Sequence, residues 1–182
     1  MKIVVICGST HVDSLNLRVA KVAHATVQAA GHESVLVHLG DENLPLFRGY
    51  DEEYPPRVKE LIELLKTADG YILVTPEYHH AVPAALKSFF EYLDGDELED
   101  RPVAIMSASD GRFGGLQSQW SIHGMLRTLG LWVVPDELYI PKADEIFLPD
   151  GTITDEKIKQ RVEDLSRRLV RAAELLKPLR TS

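Results

Sequence analysis

Five short apolar runs, at residues 3–7, 34–39, 70–75, 101–107 and 131–134, alternate along the chain with stretches of helical periodicity. The run at 70–75 is apolar at successive positions, as a strand covered on both faces must be. Alternation of this kind admits few folds. It predicts an α/β, doubly wound parallel sheet of five strands in three layers; a strand order of 2-1-3-4-5 would set strands one and three side by side, with strand four next to three. At 182 residues the chain fits a single domain over 1–182. Ligands of such sheets bind at the carboxyl ends of the strands, where the strand order reverses.

The connections at that edge are unusual in three places. After the first run come Gly8-Ser9-Thr10-His11-Val12-Asp13-Ser14-Leu15-Asn16, and then a helical pattern from Leu17. A helix start leaves backbone N–H groups unpaired and carries a partial positive charge, so a turn aimed at it can hold a phosphate. Hydroxyls at Ser9, Thr10 and Ser14 and the amide of Asn16 are the donors offered, and no lysine or arginine stands between Gly8 and Arg18. This predicts a terminal phosphate gripped by neutral donors; the structural alternative is that Ser14 or Asp13 only caps the helix. The turn is neither a dinucleotide Gly-x-Gly-x-x-Gly nor an NTP-binding Gly-Lys-Ser/Thr loop.

The second unusual connection is Thr75-Pro76-Glu77-Tyr78-His79-His80-Ala81-Val82-Pro83. Its backbone amides suit the polar edge of a flat heterocycle. The competing structural reading makes Glu77 a solvated charge and Tyr78 a rim aromatic. Two adjacent histidines without a third ligand at metal spacing do not make a zinc site, and no metal is expected. The third connection runs from Ser107 to Gly115 and holds Ser109, Asp110, Gly111, Gly114 and Gly115, which permit close backbone approach. Arg112 reads equally as a cation for a second ligand's phosphate or as an exposed charge.

Composition limits the partners. A net charge of -8 and a pI near 5.3, without a basic stripe, argue against nucleic acid. No apolar run is long enough for a membrane span and no signal-peptide pattern opens the chain, so a cytoplasmic protein is expected. The only cysteine, Cys7, ends the first apolar run and reads as a buried small residue. Residues 40–54 are irregular and predict a surface excursion near the site or a subunit contact. The acidic stretches Asp51-Glu52-Glu53 and 94–100 are modest. Residues 135–151 also read as irregular, and a long terminal helix is expected over 154–177, capped by Thr154.

Taken together, Gly8-Ser9-x-x-x-x-Ser14-x-Asn16, Thr75-Pro76-Glu77-Tyr78-x-x-x-x-Pro83-x-x-Leu86-Lys87 and Gly111-x-x-Gly114-Gly115 resemble the NADPH-dependent FMN reductase family of flavodoxin-like proteins, which includes quinone, azo-dye and chromate reductases. The resemblance implies a noncovalent FMN. Its phosphate would lie by Ser9, His11, Ser14 and Asn16, and its ring by Pro76, Glu77, Tyr78 and His79 and by Ser109, Asp110 and Gly111. It also implies NADPH or NADH as cosubstrate, a small electron acceptor, a ping-pong order and a homodimer or homotetramer. No catalytic acid or base is implied, because the cofactor carries the chemistry. Two positions depart from the family pattern. His11 stands where arginine is common, implying weaker and pH-dependent phosphate affinity, and His79 stands where asparagine is usual. The alternatives from other classes are a non-enzymatic electron carrier and a flavodoxin-like binding module without cofactor.

Overall fold

In the computed structural model, which describes residues 1–50, 53–148 and 150–181, the apolar runs form one parallel sheet. Its first strand, β1 (Lys2–Cys7), shows why the chain folds this way. Ile3, Val5 and Cys7 face one core and Val4 and Ile6 the other, all at most 2% exposed, so a strand apolar at every position must be covered twice. The remaining elements are α1 (Leu15–Ala29), β2 (Glu33–His38), the single turn α2 (Leu39–Glu42), α3 (Pro56–Lys66), β3 (Gly70–Val74), α4 (Ala84–Glu91), β4 (Pro102–Ala108), α5 (Leu116–Thr128), β5 (Trp132–Val133), β6 (Leu138–Ile140) and α6 (Glu156–Leu176). One core packs beneath α1 and α6, and the other beneath α3, α4 and α5. The order is β2-β1-β3-β4-β5, the one that sets the turns after β1, β3 and β4 side by side. Strands β1, β3 and β4 are in register, with Cys7 opposite Val74 and Val74 opposite Met106, so the turns that follow them leave from one edge.

The fifth position of the sheet differs from the expectation. It holds two short strands rather than one, and part of the stretch read as irregular belongs to the sheet. β5 pairs with Pro102 and Val103, the chain leaves the ladder around Pro135 and Asp136, and β6 then rejoins β4 opposite Met106, Ser107 and Ala108. Proline cannot donate to the ladder, and Asp136 sits at φ +82°, so the strand has to break there. Leu138 and Ile140, both buried, bring it back.

One smaller correction follows from local hydrogen bonding. The terminal helix is capped by Asp155, whose carboxylate accepts from the amides of Lys157 (2.9 Å) and Ile158 (3.1 Å). The Thr154 hydroxyl instead donates to the Ile146 carbonyl. The excursion after β2 is fastened down: Phe47, Tyr54 and Tyr92 meet edge to face, and the Tyr92 hydroxyl donates to the Pro45 carbonyl. Of its acidic stretch, Asp51 and Glu52 lie outside the described residues. Cys7 is buried, and burial pushes its thiol up to about 11, which leaves it protonated at neutral pH. Among the described residues no helix is long and apolar enough to cross a membrane.

Candidate active site

The turn after β1 closes on itself. The Ser9 hydroxyl accepts from the His11 amide (3.2 Å), and His11 Nδ1 accepts from the Asp13 amide (3.1 Å). Ser14 then caps α1, its hydroxyl accepting from the Asn16 amide (3.1 Å). Capping and phosphate binding are compatible here, since a hydroxyl that accepts one bond can still donate another. Because Nδ1 accepts a backbone proton, the nitrogen left free on His11 is Nε2, a donor in the neutral ring. The first turn of α1 carries no acidic residue. The nearest carboxylate, Asp13, bonds Arg18 at 2.7 Å, and that guanidinium holds it below the usual carboxylate range. The start of α1 thus presents unpaired amides with the negative charge of its own turn drawn aside.

Asn16 has a role that its position in the motif does not reveal. Its carboxamide donates to the Ala108 carbonyl and accepts from the Ala108 amide, both at 2.9 Å, across 92 residues of chain. Both residues are buried. The side chain therefore pins the start of α1 to the end of β4, and its polar atoms are already engaged.

In the second turn, Tyr78 and Ala81 exchange two backbone hydrogen bonds of 3.1 Å around His79 and His80. Both histidines have positive φ, +51° and +63°, as a type I′ turn requires. Asparagine and histidine are both among the non-glycine residues found most often in that conformation. Glu77 is not a solvated charge. Its Oε2 accepts from the amides of Gln117 (2.7 Å) and Ser118 (3.1 Å) in the first turn of α5. Tyr78 is half exposed at the rim.

The third turn is held from beneath by β6. Ser109 donates its amide to the Ile140 carbonyl and accepts from the Ala143 amide, while its hydroxyl accepts from the Gly111 amide (3.0 Å). Gly114 and Gly115, at φ +61° and +88°, are there for packing. A Cβ on Gly114 would lie 2.6 Å from the Ile140 nitrogen, and one on Gly115 2.6 Å from the Ser107 Cβ. Beneath them the Ser107 hydroxyl donates to the Gly114 carbonyl and accepts from the Gln119 side chain (2.6 Å).

The three turns line one open cleft of about 260 Å³. Ser9, His11, Asp13, Ser14, Leu15 and Asn16 come from the first, Pro76, Glu77 and Tyr78 from the second, and Ala108, Ser109 and Asp110 from the third. Of the residues singled out in the sequence, Thr10, His79 and Gly111 stand outside this lining. Ala108 was missed, although the end of a central strand is a place where ligands of such sheets bind. The cleft joins the start of α1 to the second and third turns and has an open side. That is the shape of a seat for a phosphorylated flat heterocycle.

The sequence profile of the NADPH-dependent FMN reductases matches residues 1–145. This chain belongs to that family. It is 33% identical over 170 residues to an NADPH azoreductase of Bacillus sp., spanning 93% of this chain and 90% of that protein. With a quinone reductase of Escherichia coli it shares 30% identity over 140 residues, 74% of this chain and 73% of the relative. Among solved structures, FerB, a flavoenzyme NAD(P)H:(acceptor) oxidoreductase from Paracoccus denitrificans, superposes with a TM-score of 0.82 at 26% identity, covering 95% and 97% of the two chains. The residues present fit the cofactor that gives the family its name. Ser9 and Ser14 are buried hydroxyls at a helix start free of first-turn acids, as a monophosphate tail requires.

Proposed function

We propose that the chain holds one FMN noncovalently across the three turns and reduces a quinone, an azo compound or a free flavin with NADPH or NADH, in ping-pong order. The observation that carries this reading is the convergence of the three turns, through Ser9, Ser14 and Asn16, Pro76 to Tyr78, and Ala108 to Asp110, on one cleft that includes the start of α1. Bound FMN would supply the hydride chemistry, accepting from the nicotinamide and delivering to the second substrate. The rest is the work of the protein. Ser9 and Ser14 and the first-turn amides of α1 hold the phosphate, with His11 Nε2 as a further donor. Asn16 serves the phosphate by holding α1 in place. The backbone of Pro76, Glu77 and Tyr78 and that of Ser109 and Asp110 orient the ring, while His79 and Gly111 shape the turns that carry them. No side chain is assigned a proton-transfer role.

In the same reading 1–182 is one domain, and the protein works in the cytoplasm on small molecules, as a homodimer or homotetramer. Phe113 and Trp120, 64% and 61% exposed beside the third turn and on α5, support self-association. The test is anaerobic. The purified protein should show a visible flavin band that NADPH or NADH bleaches and a quinone restores, and double-reciprocal plots should be parallel. Intersecting lines would overturn the ping-pong order, and a protein with no flavin band that gains none from added FMN would overturn the whole reading.

A further inference from the structure

Helix α5 begins without a cap of its own. Its N-cap residue, Gly115, has no side chain to turn back on the first amides, and the first turn contains no acidic residue. The missing acceptor comes from 40 residues upstream, where one Glu77 oxygen takes the Gln117 amide at 2.7 Å and also the Ser118 amide at 3.1 Å. The carboxylate is mostly buried, 16% exposed, and its other oxygen lies 3.5 Å from His80 Nδ1. A carboxylate on two amides at a helix start is charge-assisted and aligned with the helix dipole, so this is a strong bond of its kind.

Its position gives it a purpose. The backbone on either side of Glu77 is the turn between Pro76 and Ala81, while the third turn is immobilised by Gly114 against Ile140 and by Gly115 against Ser107. The first turn is fixed to the third through Asn16 and Ala108, and to β3 through the Gly8 amide, which donates to the Val74 carbonyl (2.8 Å). The gap between the second and third turns is bridged at Glu77. We propose that Glu77 is a positioning residue: its carboxylate sets the width of the slot that receives the flavin ring by binding the start of α5, without itself touching the flavin.

This inference rests on the FMN reading, and its test separates the two. Holoenzyme and its Glu77→Ala and Glu77→Gln variants are diluted and FMN release is followed by the recovery of flavin fluorescence. Hydrogen exchange is measured in parallel at the Gln117 and Ser118 amides. The expected result is release about tenfold faster for Glu77→Ala, the loss of a hydrogen bond to a charged group. For Glu77→Gln, which keeps a neutral acceptor, it is about threefold faster. Exchange at both amides should rise in the same order. Release at the wild-type rate in Glu77→Ala overturns the proposal, whatever the exchange does. So does faster release with unchanged exchange, since the carboxylate would then act on the flavin directly. Should Glu77→Ala not fold, Glu77→Gln carries the same two readouts, and wild-type release with wild-type exchange overturns the proposal there. A wild-type protein that carries no FMN instead removes the functional reading, and this inference with it.

Discussion

The two ends of the cleft are built on different principles. At the phosphate end, the turn from Ser9 to Asn16 is closed by bonds between residues two apart, and none of its residues has a positive φ. At the ring end, the second turn carries His79 and His80 in the left-handed region, and the third carries Gly114 and Gly115 there. Both ring turns depend on partners far away in sequence, Glu77 on α5 and Ser109 on β6; the phosphate turn has one such tie as well, Asn16 to Ala108. A phosphate needs only a helix start and a few donors, which a local turn can provide. A flat ring needs two surfaces at a set separation, and separation is a property of the tertiary structure.

The contrast can be broken first at Asn16. Asn16→Leu leaves the buried amide and carbonyl of Ala108 without partners, so the loss should be about 3 kcal/mol in urea unfolding. Ser14→Ala removes only a local cap and should cost about 1 kcal/mol in the same measurement. A smaller effect of opposite sign is expected in the second turn. Replacing His79-His80 by Asn-Gly gives the turn the residues that its backbone favours, and should raise stability by about 0.5 kcal/mol. If the double variant is no more stable, the ring turn is not strained as described.

The smallest effect on the cleft should come from the opposite edge of the sheet. There, burial pushes the Asp69 carboxyl up, but the Lys2 amide (2.7 Å) and the Arg180 guanidinium (3.0 Å) outweigh it and hold the group below the usual carboxylate range. Since the folded state binds the proton less readily than the unfolded chain, this stabilisation is present above the ordinary carboxylate range and is lost as the pH falls through the folded value. Asp69→Asn should therefore destabilise at neutral pH, approach wild type in acid, and leave FMN release unchanged. Urea curves at several pH values, beside the fluorescence assay, check both halves of that statement.

What was legible in the sequence follows the same division. Strands apolar at every position give the layers of the sheet, and Ser9 and Ser14 offer hydroxyls beside a helix start because their chemistry is local. The split between β5 and β6 was hidden: the short β6 gives only Leu138 and Ile140 as apolar signal, beyond the break at Pro135 and Asp136. The amide of Asn16 reads as a donor and Glu77 enters the site only through the family resemblance; their partners lie 92 and 40 residues away, and no local pattern encodes such a pairing. Gly114 and Gly115 read as room for a ligand, yet the space beside them is taken by Ile140 and Ser107.

The central claim is that one mononucleotide spans the cleft from its phosphate to its ring. The most direct measurement is a crystal structure of the protein grown with FMN. The account predicts the phosphate within hydrogen-bond distance of the Ser9 or Ser14 hydroxyl at the start of α1, and the ring between the backbone of Pro76 to Tyr78 and that of Ser109 and Asp110. A flavin bound elsewhere on the molecule, or one lying in this cleft with its ring over α1 and its phosphate at Tyr78, would contradict it.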